Sequence, residues 1–207
     1  MPRSATARAR ARSRTTTATR RTRSSISDAQ TLEGASGTTS LTFTITVTPV
    51  SNQPITLFYS TSDGTATTAN NDYVPASGSI FIPPSTATVT VTVQVNGDTK
   101  FESDETMFVD LNAASGATIA DGQGQGTIQN DDVVPTASIN DVTVFEGNAG
   151  TTTFTFTVTL SNMTDQTVEI QYFTGDGSAT EADNDFSGAS GMCRSRPSRP
   201  APRSRCR

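Results

Sequence analysis

Carboxylates are the residues through which this chain could do chemistry. Glu33, Asp72, Asp98, Glu102, Asp104, Glu105 and the pair Asp131-Asp132 recur through the first two-thirds of 207 residues, and no histidine occurs anywhere. The two cysteines, Cys193 and Cys206, both stand near the C-terminus. Imidazole relays, a thiol nucleophile in the main body and a Gly-rich phosphate loop are therefore missing, and with them most catalytic templates. Paired carboxylates cleave glycosides only across a cleft of defined spacing, so the expectation is that the chain is not an enzyme. Oxygen ligands without histidine or thiolate suit neither zinc nor copper. They suit a hard cation: calcium takes roughly six to eight oxygens in irregular geometry, whereas magnesium prefers to keep its waters.

The distribution of charge shows which part of the chain matters. All fourteen arginines lie in residues 1–25 and 192–207, while all twenty acids lie in 26–191 beside a single base, Lys100. One base against twenty acids leaves that middle at −19. Both tails are expected to be disordered Arg-rich segments, with at most non-specific phosphate contacts and no specific nucleic acid as partner. Neither holds an aromatic side chain on which a base could stack. The first 25 residues lack the apolar core of a signal peptide, and Arg20-Arg21 precedes no hydrophobic segment of the kind a twin-arginine signal needs. No apolar run is long enough to span a membrane. Cys193 and Cys206 are expected to make no bridge within the fold.

Shifted by 113 residues, the middle matches itself without a gap: 24 of the 53 positions from 26 to 78 are identical to those from 139 to 191. Glu33-Gly34 lies over Glu146-Gly147, Asp63-Gly64 over Asp176-Gly177, and Asn71-Asp72-Tyr73 over Asn184-Asp185-Phe186. The match stops abruptly after Gly191, and the pattern begins abruptly near Ser24, as in a fragment whose ends are not native reading frame. The expected organisation is a basic tail at 1–25, a module at 26–132, a linker at 133–135, a truncated module at 136–191 and a basic tail at 192–207. The truncated module is expected to be marginal, with Phe154, Phe156, Val158 and Leu160 forming an uncovered apolar face.

Strands must position the acids. Leu41, Phe43, Ile45 and Val47 alternate with threonines, as do Val89, Val91, Val93 and Val95, the period-two pattern of half-buried strands. Further strands are expected at 26–32, 54–61, 79–82, 106–112 and 125–130. About seven in all predict an all-β, immunoglobulin-like antiparallel β-sandwich. If the seven run alternately up and down, the first, third, fifth and seventh finish at one end. That end gathers Glu33, Asp72, Asp98, Glu102, Asp104, Glu105 and Asp131-Asp132, while the opposite loops hold only Asp121. Two like charges about 4 Å apart repel by roughly 4 kcal/mol at an effective dielectric near 20, so such a pole wants a cation. The competing explanation is a solvated acidic surface that only keeps the chain soluble.

The ordered set Glu33-Gly34, Tyr59-x-Thr-x-Asp63-Gly64-Thr-Ala, Asn71-Asp72-Tyr73, Asp98-x-x-x-Glu102-x-x-Glu105 and Asn130-Asp131-Asp132 resembles the Calx-beta domains of sodium/calcium exchangers and large surface proteins. The resemblance covers 26–132 as one module and 136–191 as the first half of another. It implies calcium as the bound ion, with Glu33, Asp72, Asp98, Glu102, Glu105, Asn130, Asp131 and Asp132 as metal ligands, Asn130 through its side-chain carbonyl. Gly97 and Asn130 stand where strongly binding members carry Asp, which implies fewer ions or weaker binding. Asp63-Gly64 and Asp176-Gly177 fit turns better than ligands. Glu146 and Asp185 repeat two ligand positions, but their copy lacks the later loops. The resemblance implies a calcium-binding structural or adhesive repeat, extracellular or at the cell surface, whose partners are calcium ions, neighbouring repeats or other cell-surface proteins. The alternative is a calcium-independent spacer with the same fold.

Overall fold

The computed structural model describes residues 21–195 and 204–205. Most of the two basic tails lies outside them. Nine strands build the first unit: β1 (Arg23–Ile26), β2 (Ala29–Leu32), β3 (Gly37–Thr48), β4 (Ile55–Asp63), β5 (Ser77–Ile82), β6 (Thr88–Gly97), β7 (Glu105–Ser115), β8 (Thr118–Asp121) and β9 (Gln123–Gln129). One sheet has the order β6-β3-β1-β8 and the other β2-β9-β7-β4-β5. Side chains at alternate positions fill the space between them. On β3, Leu41, Phe43 and Ile45 are fully buried while Thr42, Thr44 and Thr46 face solvent. Opposite them stand Leu57, Met107, Val109 and Ile128 of the second sheet, in one continuous core. Burying each large apolar side chain contributes roughly 1.5–3 kcal/mol. Glycine at 126 makes room for the bulkiest members: a Cβ there would sit 2.6 Å from Leu41 Cδ2 and 2.9 Å from both Met107 Sδ and Phe43 Cζ.

Three expectations about the first unit need correction. The single strand at 26–32 is two strands in different sheets, β1 beside β3 and β2 beside β9. Ser27 and Asp28 make the crossing: the Ser27 amide donates to the Thr44 carbonyl in one sheet (2.9 Å), and Asp28 Oδ1 accepts from the Gln125 amide in the other (2.8 Å). The loop expected over 113–124 contains β8, paired in parallel with β1. A non-local partner stabilises β8; its four residues were too few to show a period. Arg23–Ser25, counted with the basic tail, also belong to β1.

The second copy has β10 (Ala137–Ile139), β11 (Thr157–Leu160), β12 (Glu169–Phe173) and β13 (Ser190–Arg194), and β14 (Ser204–Arg205), from the tail expected to be disordered, pairs with β11. It repeats local register. Ile26 pairs with Ile45 and Ile139 with Val158; Tyr59 pairs with Gly78 and Tyr172 with Gly191. Among the described residues the sandwich packing is not repeated. Phe43 is 0% exposed, and its equivalent Phe156 is 39% exposed, stacked on Phe154 with ring centroids 6.3 Å apart. Val158, placed on the expected uncovered face, is buried at 7%. Because β13 continues past Gly191, Cys193 sits in a strand opposite Ile170, buried and disulfide-bonded. This corrects the expectation of no bridge; Cys206 lies outside the described residues.

Candidate metal centre

Pairing directions put the ends of β2, β4, β6 and β9 at one pole. β2 runs parallel to β9, β9 antiparallel to β7, and β7 antiparallel to β4; β6 runs antiparallel to β3, as β1 does. The acids gather where strand parity placed them.

The connection between β4 and β5 carries Asp72. Gly64 lets this loop lie on β7, because a Cβ there would sit 3.0 Å from the Thr106 carbonyl carbon. The Ala66 amide then donates to the Thr106 carbonyl (2.9 Å). Asp63 ends the strand as a structural acceptor, taking hydrogen bonds from the Tyr73 hydroxyl (2.6 Å) and the Thr68 amide (3.1 Å). The Tyr73 bond first, then those from Thr68, hold its carboxyl below the ordinary range. Asn71 takes the left-handed conformation at φ 69°, which Asn tolerates. Asp72 Oδ2 accepts from the Thr67 amide (2.7 Å), and the Asp72 carbonyl accepts from the Asn96 amide at the end of β6 (3.0 Å). This clamp brings Asp72 to Glu102 and Glu105, and ligand atoms of the three lie within 4.8 Å of one another.

A second group surrounds Glu33. Its amide donates to the Gln129 carbonyl (3.1 Å), and Gly34 donates to Asp131 Oδ1 (3.1 Å), joining the ends of β2 and β9. Glu33 is 6% exposed and its Oε1 has no hydrogen-bond partner among the described residues; Asp132 Oδ2 is likewise buried and unpaired among them. Burial, followed by the charges of Glu102, Asp98, Asp132 and Asp131, pushes Glu33 up to about 7. Burial, then Asp72 through its charge and a hydrogen bond, then Glu102, lifts Glu105 to about 8. Burial also raises Glu102, helped by Asp72 and Asp98 and opposed by Lys100. Burial raises Asp132 as well, ahead of Asp131 and Asp98. Glu102 faces both groups and links them.

The remaining acids are more exposed. Asp98 turns an oxygen to the Lys100 amide (2.7 Å). The Asn130 side-chain carbonyl, expected to face a metal, accepts from the Glu102 amide (3.0 Å), while Asp104 Oδ1 accepts from the Asn130 amide (3.1 Å). These bonds make Asn130 a tie that holds the β6–β7 loop against the end of β9. Gly97 also has a packing reason. A Cβ there would collide with the Gly34 carbonyl and lie 2.8 Å from that of Glu33. Lys100 was not expected in the site, yet its ammonium pairs with Glu102. Burial works against its charge, but Glu102, Asp165 and Asp98 outweigh that and raise its pKa. Its being the sole base in the middle was visible in sequence; its partner was not. In the second copy, the Thr180 amide bonds Asp185 Oδ2 (3.0 Å), matching the clamp on Asp72.

The donor set is all oxygen and includes two buried carboxylate oxygens without donors, the condition a hard cation relieves. A calcium ion fits these residues: Asp72, Glu102 and Glu105 would hold it in one group, with Glu33, Asp98, Asp131 and Asp132 in the other.

Fold and pole together define a β-sandwich module with an acidic tip. The Calx-beta domain model matches residues 19–134 and again 129–193, and the chain belongs to that family. No curated protein matches it. Similar solved structures include an apo-form Calx CBD1 domain, at 22% identity and TM-score 0.49, covering 54% of this chain and 99% of that one. The calcium binding domain CBD12 of CALX1.1 is similar at 22% identity and TM-score 0.48, covering 84% and 70%. CBD12 from CALX1.2 is similar at 24% and 0.49, covering 84% and 72%.

Proposed function

We propose that this chain is a calcium-binding structural repeat of an extracellular or cell-surface protein, non-enzymatic, whose acidic pole is ordered by the ion. The observation that carries the reading is Glu33: a carboxylate 6% exposed, with one oxygen unpaired, among four other acids. A merely solvated acidic surface has no reason to bury that oxygen. With calcium bound, the carboxylates would lose their mutual repulsion, and the ends of β2, β6 and β9 would be held together with the Glu105 end of β7. Asp131-Asp132 lead directly into Val133-Val134-Pro135, so ordering them stiffens the junction to the next repeat. Adhesion between cells or to a matrix is the role such a stiffened repeat serves, with neighbouring repeats or other surface proteins as partners.

An ion that binds only the folded state stabilises it by mass action. The melting temperature should be higher in calcium than in chelator, and Glu105→Ala should lose most of the difference. Isothermal titration should give saturable heat with calcium. Coincident melts and no saturable heat would leave the calcium-independent spacer as the better reading.

A further inference from the structure

Lys100 lies within the acidic pole, against the second copy. Its ammonium bonds Glu102, which also belongs to the group with Asp72 and Glu105. On its other side, the Phe101 amide donates to the Met163 carbonyl (3.0 Å). The Phe101 carbonyl accepts from Thr164 Oγ1 (2.8 Å) and the Asp165 amide (3.4 Å). Asn162 Nδ2 reaches the Thr99 carbonyl (3.4 Å), and Gln166 Nε2 reaches Ser103 Oγ (3.2 Å). The loop bearing Lys100 is therefore seated along residues 162–166 of the second copy. Asp165 Oδ1 is buried there without a hydrogen-bond partner among the described residues, a costly state for a carboxylate oxygen.

We propose that Lys100 is a cation shared between the two copies, paired with Glu102 while that carboxylate serves no metal and with Asp165 once it does. The inference rests on the calcium reading above. Glu102 cannot satisfy an ammonium and a metal ion equally, so turning to one weakens its hold on the other. The released lysine has a flexible four-carbon stem with three donors, and an unpartnered acceptor lies against its own loop. Metal occupancy at the pole is thereby tied to the contact between copies, and by linkage that contact alters affinity for the metal by the same factor.

The test is calorimetric titration of the full chain with calcium chloride, on wild type, Lys100→Met, Asp165→Asn and the double variant. Lys100→Met should bind roughly five- to tenfold tighter, because Glu102 then has no competing partner. Asp165→Asn should weaken wild type several-fold yet leave the Lys100→Met background unchanged, the signature of coupling in a double-mutant cycle. Hydrogen exchange should show calcium-dependent protection of the Phe101 and Asp165 amides in wild type and none in Lys100→Met. Equal weakening by Asp165→Asn in both backgrounds, or no tightening by Lys100→Met, would overturn the shared-cation proposal and leave calcium binding standing. Absence of saturable binding in both wild type and Lys100→Met would overturn the calcium reading, and this proposal with it.

Discussion

Glu33 and Glu105 are the carboxylates raised furthest at the pole, and they give this fold a pH dependence. Their ordinary value is 4.5, and the pole raises them to about 7 and about 8. Between those limits the folded chain keeps protons that the unfolded chain has released. Stability without calcium is therefore largest at or below the unfolded value and falls as pH rises through the window, levelling off above about pH 8. The melting temperature in chelator should be lower above pH about 8 than near pH 5. Calcium affinity should rise over the same window, because the ligands must be ionised to bind. Thermal melts and titrations at the two ends of the window check both, and a chelator profile rising with pH would contradict the burial of Glu33. Gly97 belongs to this scale too. Restoring an acid by Gly97→Asp drives a side chain into the Glu33–Gly34 backbone, so the variant should lose about 1–3 kcal/mol in chemical denaturation and gain no affinity.

Among elements, β3 and its counterpart in the second copy offer a controlled comparison. Phe43 and Phe156 sit 113 positions apart in matching sequence, yet one is sealed between the two sheets with its ring against Gly124 and Gly126 of β9 and the other is 39% exposed. Phe43→Ala should cost about 3–5 kcal/mol. Phe156→Ala should cost well under that, near the ~1 kcal/mol of an ordinary substitution. Denaturant midpoints of the two variants decide it, and equal losses would mean that the second copy is packed as tightly as the first. The contrast goes with pairing: β3 pairs with β6 from Gly37 to Thr46, whereas among the described residues the counterpart strand, besides β10, meets only Ser204–Arg205, at Thr157 and Val158.

At the scale of the whole molecule, stability should be uneven. The first unit closes two sheets over one core, while the described strands of the second copy's sheets are two to five residues long. Short strands with few covered contacts open locally at low free energy. Amides across 150–172 should therefore exchange faster than those in 87–95 in the same sample. The reverse order would show that the second copy is the more cooperative half. Its seat against residues 99–103 should give it the protection that its own sheets do not.

The alternation in β3 and β6, the 113-residue repeat and the parity that sends the acids to one end were all legible in the chain, because they depend on local periods and chain direction. So were most of the acids of the pole, through their resemblance to Calx-beta domains. The split of 26–32 into β1 and β2 was not legible, nor was β8, since both depend on partners 95 to 97 residues away. Sequence likewise left open what each polar group does once it arrives. Tertiary contacts made Asn130 a tie to Glu102, gave Gly97 a backbone to avoid, left Glu33 with an unpaired oxygen and set Lys100 between two copies. Residue types and periods determine which groups can meet; only the packed backbone decides which of them are left without a partner, and that is where the proposed cation would act.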